Sequence, residues 1–330
     1  MFKHKKILVI DDEPQNLALA NQALRDTYTL VFAKSGKEGI ESFLTHKPDL
    51  VVLDISMPGM DGFEVCKKIK SFEFAQETPV IFLTSNDSVE HEEHALIVGG
   101  DDFIRKPLQS RILRLRIKNY LSLISIKRLE QSQKDAIGML SEAGHYNDTD
   151  TGMHIWRMAA FAATLAELSG MLPHEVELVR LAAPMHDTGK IGIPDHILKK
   201  PGKLDLDEWD IMKNHSEIGY QILSKSQSEV FRAAADIAKH HHEKWDGSGY
   251  PDQLSGENIP LFARIVAIAD VFDALTSERP YKKAWSTKEA FDYIKNQSGS
   301  HFDPVLAETF CFHQEMIINV KNQYRDDAAS

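Results

Sequence analysis

Cysteine is nearly absent from this 330-residue sequence. The two present, Cys66 and Cys311, lie far apart and without CxxC spacing. That excludes a disulfide framework and a thiolate metal site, and makes a reducing cytoplasm the expected compartment. Long apolar runs are missing too, and nothing approaches the roughly 20 residues of a membrane span. The apolar run 7–10 behind Lys3, Lys5 and Lys6 meets Asp11-Asp12-Glu13 at once, whereas a leader core needs about 7 to 15 apolar residues. Neither export nor membrane attachment is expected. Positive charge is in deficit, with 38 Lys and Arg against 49 Asp and Glu and a formal net charge of -11. This balance argues against nonspecific binding to DNA or a membrane surface, so an anionic ligand has to be gripped by a local basic pocket. The rest is ordinary for a globular chain, with 42% hydrophobic and 26% charged residues, and the length suffices for two domains with separate cores.

Short β-branched runs at 7–10, 29–33, 50–53, 80–83 and 103–104 alternate with stretches of helical periodicity. The pattern predicts an α/β domain whose five-stranded parallel sheet is covered by helices on both faces. Such sheets collect function at the carboxyl ends of their strands. There stand Asp11 and Asp12, Asp54, Thr84 and Ser85, and Lys106-Pro107. A single acid after a strand serves as readily to cap a helix, but three converging carboxylates repel one another unless a hard cation such as Mg²⁺ sits among them. Lys106 would complete the neutralisation. Asp54 also opens the run Asp54-Ile55-Ser56-Met57-Pro58-Gly59-Met60-Asp61-Gly62. With that run, residues 4–125 closely resemble the receiver domain of response regulators. The resemblance implies a flavodoxin-like fold over 1–125 and a sensor histidine kinase as partner. It makes Asp54 the phosphoacceptor, gives Asp11 and Asp12 to Mg²⁺, sets Thr84 on the phosphoryl group with Lys106 paired to it, and makes Phe103 the switch aromatic. One departure is Gly99-Gly100, where the family usually has Gly-Ala.

From 108 to 146 there is no proline, and Leu113, Ile117, Tyr120 and Ile124 recur at 3- and 4-residue spacing. An amphipathic helix is expected to continue the last receiver helix, with 126–149 as a helical connector. Such a helix either packs on its own domain or, the favoured expectation, covers its stripe against a second copy as a homodimer. Beyond it, 150–330 lacks strand signals. Pro173 starts one helix, Gly189 and Gly192 end the next, Asp207 and Glu208 open a stretch through His215, and Ile259-Pro260 precede 262–275. An all-α bundle is predicted.

Nine of the 15 histidines fall between His145 and His242. Imidazoles mixed with carboxylates suit iron, manganese, nickel or zinc, whereas an all-oxygen set suits calcium or magnesium. Asp150 and His154 are four apart and share a helical face. His186 and Asp187 are adjacent and would diverge by about 100° on a helix, so both serve only at a helix end or where Asp187 bridges two metals. A lone histidine is more often a surface residue, and His145, His174, His196, His301 and His313 are set aside on that ground.

The remaining elements run in order: Asp150-x3-His154, His186-Asp187-Thr188-Gly189-Lys190, His215, His241-His242-Glu243, the turn Asp246-Gly247-x-Gly249-Tyr250-Pro251, and Asp270. They closely resemble the HD-GYP branch of the HD-domain phosphohydrolases over about 145–315. The resemblance implies metal ligation by His154, His186, Asp187, His215, His241, His242 and Asp270, with His240 structural. It also implies a catalytic Lys190 near the scissile phosphate, and Tyr250, Arg279 and Lys282 as further substrate contacts. Trp245 and Trp285 are expected to pack. Members with three metals carry Glu where this chain has Asp150, one methylene shorter, so two metals are expected, iron or manganese ahead of nickel or zinc, with Asp150 an additional candidate ligand.

The implied activity is a phosphorylation-regulated, metal-dependent hydrolysis of cyclic di-GMP to pGpG and onward to GMP. The absence of a Ser-His or Cys-His constellation agrees with hydrolysis that needs no protein nucleophile. Two alternatives stand: the same chemistry on a hybrid cyclic GMP-AMP, or a noncatalytic module that binds cyclic dinucleotides. Members of the second kind commonly lack ligands or the Gly-Tyr-Pro turn, both of which are present here.

Overall fold

The alternating runs of the first half form β1 (Lys6–Ile10), α1 (Pro14–Leu24), β2 (Thr29–Ala33), α2 (Gly36–His46), β3 (Leu50–Asp54), α3 (Gly62–Lys70), β4 (Val80–Thr84), α4 (Val89–Ile97), β5 (Asp102–Arg105) and the start of α5 (Ser110–His145). This computed structural model describes residues 5–85, 89–145, 152–278 and 283–324. Its chain divides into two units, Met1–Glu130 and Gln131–Ser330. In the first, all strand pairs are parallel and the order is β2-β1-β3-β4-β5, which is the flavodoxin-like arrangement with its switch point between β1 and β3. The central strands β3 and β4 are buried along their whole length, as expected for a sheet covered on both faces.

Local chemistry fixes the helix ends. Asp61 accepts from the Glu64 N–H at 2.8 Å while the Glu64 side chain accepts from the Asp61 N–H at 3.1 Å, a reciprocal cap that starts α3 just beyond Asp54. Gly100, the departure noted above, has a packing reason. A Cβ there would lie 2.4 Å from the Phe82 ring, so the phenyl group of β4 occupies the space an alanine methyl would take. Helix α5 buries Leu113, Ile117 and Leu121 in the first unit and continues unbroken to His145.

The second unit is helical, as predicted: α6 (Gly152–Leu168), α7 (Pro173–Ala182), α8 (Asp195–Leu198), α9 (Leu206–Leu223), α10 (Glu229–His240), α11 (Leu261–Thr276), α12 (Thr287–Asn296), α13 (Pro304–Phe312) and α14 (Gln314–Gln323). Phe161, Phe272 and Phe310 meet edge to face at centroid distances of 5.2 and 5.1 Å in its core. Helix α9 begins a little before the expected Asp207, because Asp205 caps it by accepting from the Glu208 N–H at 2.9 Å. The expected helix ending at Gly189 and Gly192 is instead two 3₁₀ turns, Ala183–Met185 and Thr188–Gly192. Pro184 lacks a donor there, and Gly189 lies so close to α9 that a Cβ would stand 1.8 Å from the His215 carbonyl oxygen. No helix among the described residues is long and apolar enough to cross a membrane.

Candidate functional site

Each unit gathers its own set of polar side chains. In the first, Asp11 and Asp12 follow β1 and Asp54 ends β3, the two strands flanking the switch point. One oxygen from each of the three lies within 4.8 Å of the others. The Lys106 ammonium, brought in after β5, stands 2.9 Å from Asp54 Oδ2, 3.3 Å from Asp11 Oδ2 and 3.7 Å from Glu13 Oε1. Asp11 is further oriented by the Glu13 N–H at 2.9 Å and by Asn16 Nδ2, which donates to both of its oxygens. Burial raises Asp54 above the usual carboxylate range and Asp11 adds to this, although the Lys106 ammonium acts against it. Asp12 Oδ1 is buried without a hydrogen-bond partner among the described residues. An all-oxygen set with such an atom fits a hard divalent cation. Thr84 ends β4 and is buried, and Phe103 packs at the edge of the core beside β4.

In the second unit the bend between the two 3₁₀ turns reconciles the adjacent His186 and Asp187. His186 closes the first turn, and Asp187 opens the second with φ -101 and ψ 10, so both face the same site. Asp187 then divides its oxygens. Oδ2 lies 3.1 Å from His186 Nε2 and 2.8 Å from the Lys190 ammonium, while Oδ1 lies 3.4 Å from His215 Nε2 and 3.8 Å from His241 Nε2. Donor atoms of Asp187, His215, His241 and His242 all fall within 4.8 Å of one another. Asp270 on α11 reaches from the other side, its Oδ1 3.9 Å from His186 Nε2.

Three of the imidazoles are oriented by backbone carbonyls. His186 Nδ1 faces the Ala183 carbonyl at 3.0 Å, His215 Nδ1 that of Met212 at 2.7 Å, and His241 Nδ1 those of Ile237 and Ala238 at 3.1 Å. A carbonyl only accepts, so Nδ1 carries a proton in each, and wherever the ring is neutral Nε2 carries the lone pair. Nε2 of His215 and of His241 is buried without a hydrogen-bond partner among the described residues. Burial lowers His215, and lowers His241 and His242 well below the ordinary value, with neighbouring imidazoles adding to the effect. These three are therefore neutral at pH 7. Burial also works against a charged His186, but the Asp187 carboxylate outweighs it and raises the group to about 9. Orphaned imidazole nitrogens around a buried carboxylate fit a borderline divalent metal.

Tyr250 stacks on His242 at a centroid distance of 4.8 Å and an angle of 28°, and burial raises its phenol well above the usual range. Glu243 holds that turn from beneath by accepting from the Asp252 and Leu254 N–H groups at 2.7 and 3.1 Å. His240 lies outside the cluster, bound to Asp252 and the Asp236 carbonyl. His154 is buried, and its Nδ1 is bonded to Asp273, so any metal bond from it must come from Nε2. Asp150, Arg279 and Lys282 lie outside the described residues. The sequence reading assigned no role to Asp273, Arg157 or Glu243. The signal for the first two was their spacing, since each follows a candidate ligand by three residues, Asp270 and His154 respectively.

Residues 119–306 match the HD domain family and residues 7–118 the response regulator receiver domain family. A probable cyclic di-GMP phosphodiesterase of Vibrio cholerae serotype O1 is 36% identical over 98% of this chain and 81% of its own length. The cyclic di-GMP phosphodiesterase response regulator RpfG of Xanthomonas campestris pv. campestris is 42% identical over 85% of this chain and 79% of its own. A 3'3'-cGAMP-specific phosphodiesterase 2 of Vibrio cholerae is 42% identical over 79% of this chain and 51% of its own.

Proposed function

This chain belongs to the HD domain family, here joined to a response regulator receiver domain, and we propose that it is a metal-dependent phosphodiesterase that hydrolyses cyclic di-GMP. One observation carries the reading: a buried carboxylate, Asp187, surrounded by the donor atoms of His215, His241 and His242. The names of the relatives, cyclic di-GMP phosphodiesterases among them, supply the substrate.

We assign metal ligation to His154, His186, Asp187, His215, His241, His242 and Asp270. Asp187 turns its two oxygens toward different imidazoles, which would suit a pair of divalent ions, iron or manganese, with Asp187 among the ligands. A divalent pair supplies Lewis acidity toward phosphate oxygens and lowers the pKa of water. The reaction adds one water across a P–O3′ bond, so the phosphorus gains a hydroxyl oxygen, the ribose 3′-oxygen leaves with a proton, and pGpG is formed. The Lys190 ammonium, half-buried beside Asp187, is placed to offset negative charge that grows on the phosphate. The neutral Tyr250 ring offers an aromatic edge to the base, and Arg279 and Lys282 would hold the distal phosphate. In the receiver, Asp54 would accept a phosphoryl group from a sensor histidine kinase, and Asp11, Asp12 and Asp54 would hold a Mg²⁺ ion that offsets its charge.

The test is steady-state hydrolysis of cyclic di-GMP by Mn²⁺- or Fe²⁺-loaded protein, with metal content measured alongside. Turnover to pGpG with two ions per chain is expected. Protein that holds its metals and cleaves no cyclic dinucleotide would be a binding module instead. Because a 3'3'-cGAMP-specific relative is 42% identical, the hybrid dinucleotide is the second reading, and a larger kcat/KM on it than on cyclic di-GMP would select it.

A further inference from the structure

Asp273 is a buried charge that the proposed chemistry leaves without a task. It lies on α11, three residues after Asp270, and its side chain is 0% exposed. A carboxylate so placed is costly unless it is fully paired. Here one partner is His154 Nδ1, and others are Arg157 Nε and Nη2, the latter 3.0 Å from Oδ2, with the Ser277 hydroxyl at 3.2 Å. Arg157 is itself buried on α6 and also donates to Ser277 Oγ at 2.6 Å. These bonds to His154 and Arg157 outweigh burial and hold Asp273 below the usual carboxylate range.

For holding α6 against α11 an apolar pair would serve as well or better, so the ion pair points to a task that packing does not require. The other imidazoles indicate which. His186, His215 and His241 turn Nδ1 to a carbonyl three or four residues earlier in their own segment. His154 turns Nδ1 to a carboxylate on a different helix, 119 residues away. Its orientation is therefore set by the register of α6 against α11, and a carboxylate makes a bonded imidazole a stronger base than a carbonyl does. Each helix presents the same pair at the same spacing: a candidate ligand, His154 or Asp270, and three residues later a member of the ion pair, Arg157 or Asp273.

We propose that Asp273, held in place by Arg157, is a positioning residue that fixes the tautomer and ring orientation of His154 so that Nε2 is the ligating atom. This rests on the reading of His154 as a ligand, and the test separates the two. Removing Asp273 alone would strand the Arg157 charge, so the main variant is the charge-free pair Asp273→Leu with Arg157→Leu, with Asp273→Asn as a milder second. Mn²⁺ affinity is measured by calorimetric titration of the full chain, with thermal unfolding to verify the fold. The pair is expected to keep a cooperative transition and to bind Mn²⁺ about 10- to 100-fold more weakly. Asp273→Asn should fall less, because its carbonyl still accepts from Nδ1. In a His154→Ala background the pair should weaken binding no further. Wild-type affinity in both the pair and Asp273→Asn, or an equal loss with and without His154, would overturn the positioning role. Undiminished Mn²⁺ binding in His154→Ala alone would instead overturn the ligand assignment beneath it.

Discussion

Asp187 and Lys190 are bonded to each other at 2.8 Å, yet their removal should have different consequences. Asp187 is the carboxylate on which three imidazoles converge, so Asp187→Ala should lose bound metal and abolish turnover together. Lys190 carries a positive charge and binds no metal. Lys190→Ala should keep the metals and lower kcat by about 10²-fold, the usual cost of removing one donor to developing charge. Elemental analysis beside steady-state kinetics distinguishes the two, and loss of metal from Lys190→Ala would move that residue from the chemistry to the metal site. His301 illustrates a histidine with a different task. Its ring stacks on Phe302 at 4.2 Å, and burial, aided by Lys244, lowers it from the ordinary 6.5 to about 4. Between those values the unfolded chain binds more protons than the folded one, so stability falls as pH drops from about 6.5 toward 4. The melting temperature should decline over that interval, and His301→Gln should flatten the decline. An unchanged slope in the variant would show that other groups govern it.

At the scale of elements, the 3₁₀ turn Thr188–Gly192 and α9 are pressed together at Gly189, where a Cβ would stand 1.8 Å from the His215 carbonyl and 2.5 Å from the Gly219 N. Both partners are backbone and cannot swing aside. Gly189→Ala should therefore destabilise the second unit by at least the ~1–3 kcal/mol typical of overpacking. It should also weaken Mn²⁺ binding, since His215 and Asp187 sit on the two segments it would push apart. Calorimetric unfolding and metal titration check both, and a variant with wild-type stability would mean that the turns separate freely. Little in the sequence warns of this contact. Its periodicity disclosed the strands and most helices, because a buried face repeats every 2 or 3.6 residues wherever an element packs. The histidine cluster was legible because imidazoles are seldom grouped without cause. Sequence order alone does not show that Gly189 touches α9, that Asp273 faces His154 across 119 residues, or that Glu243 points under the loop instead of into the site. Those are consequences of tertiary packing between segments with no local signature of their pairing.

At the scale of the molecule, the two sites share one covalent element. Helix α5 is buried in the first unit at Leu113, Ile117 and Leu121 and in the second at Ile137. Between them, residues 125–136 are exposed, Ile126 and Leu129 among them at 53% and 69%. Ile126 and Leu129 leave apolar surface uncovered on this helix, so a partner that covers them would stabilise it, and a second copy of the same helix offers matching apolar positions. Phosphorylation of Asp54 can act on the second unit only by interacting differently with two states of the chain, and the packing of α5 is the element that could differ. Acetyl phosphate with Mg²⁺ should label the wild type with an acid-labile phosphate and leave Asp54→Asn unlabelled. The labelled protein should then differ from the unlabelled in oligomeric state by sedimentation, or in its rate of cyclic di-GMP hydrolysis. Ile126→Lys with Leu129→Lys, which places like charges on the stripe, should remove the difference while leaving metal content unchanged. If labelling alters neither rate nor association, α5 is a tether and the receiver addresses the protein to a partner. If the lysine variant keeps the full phosphorylation response, coupling passes by a route other than this face.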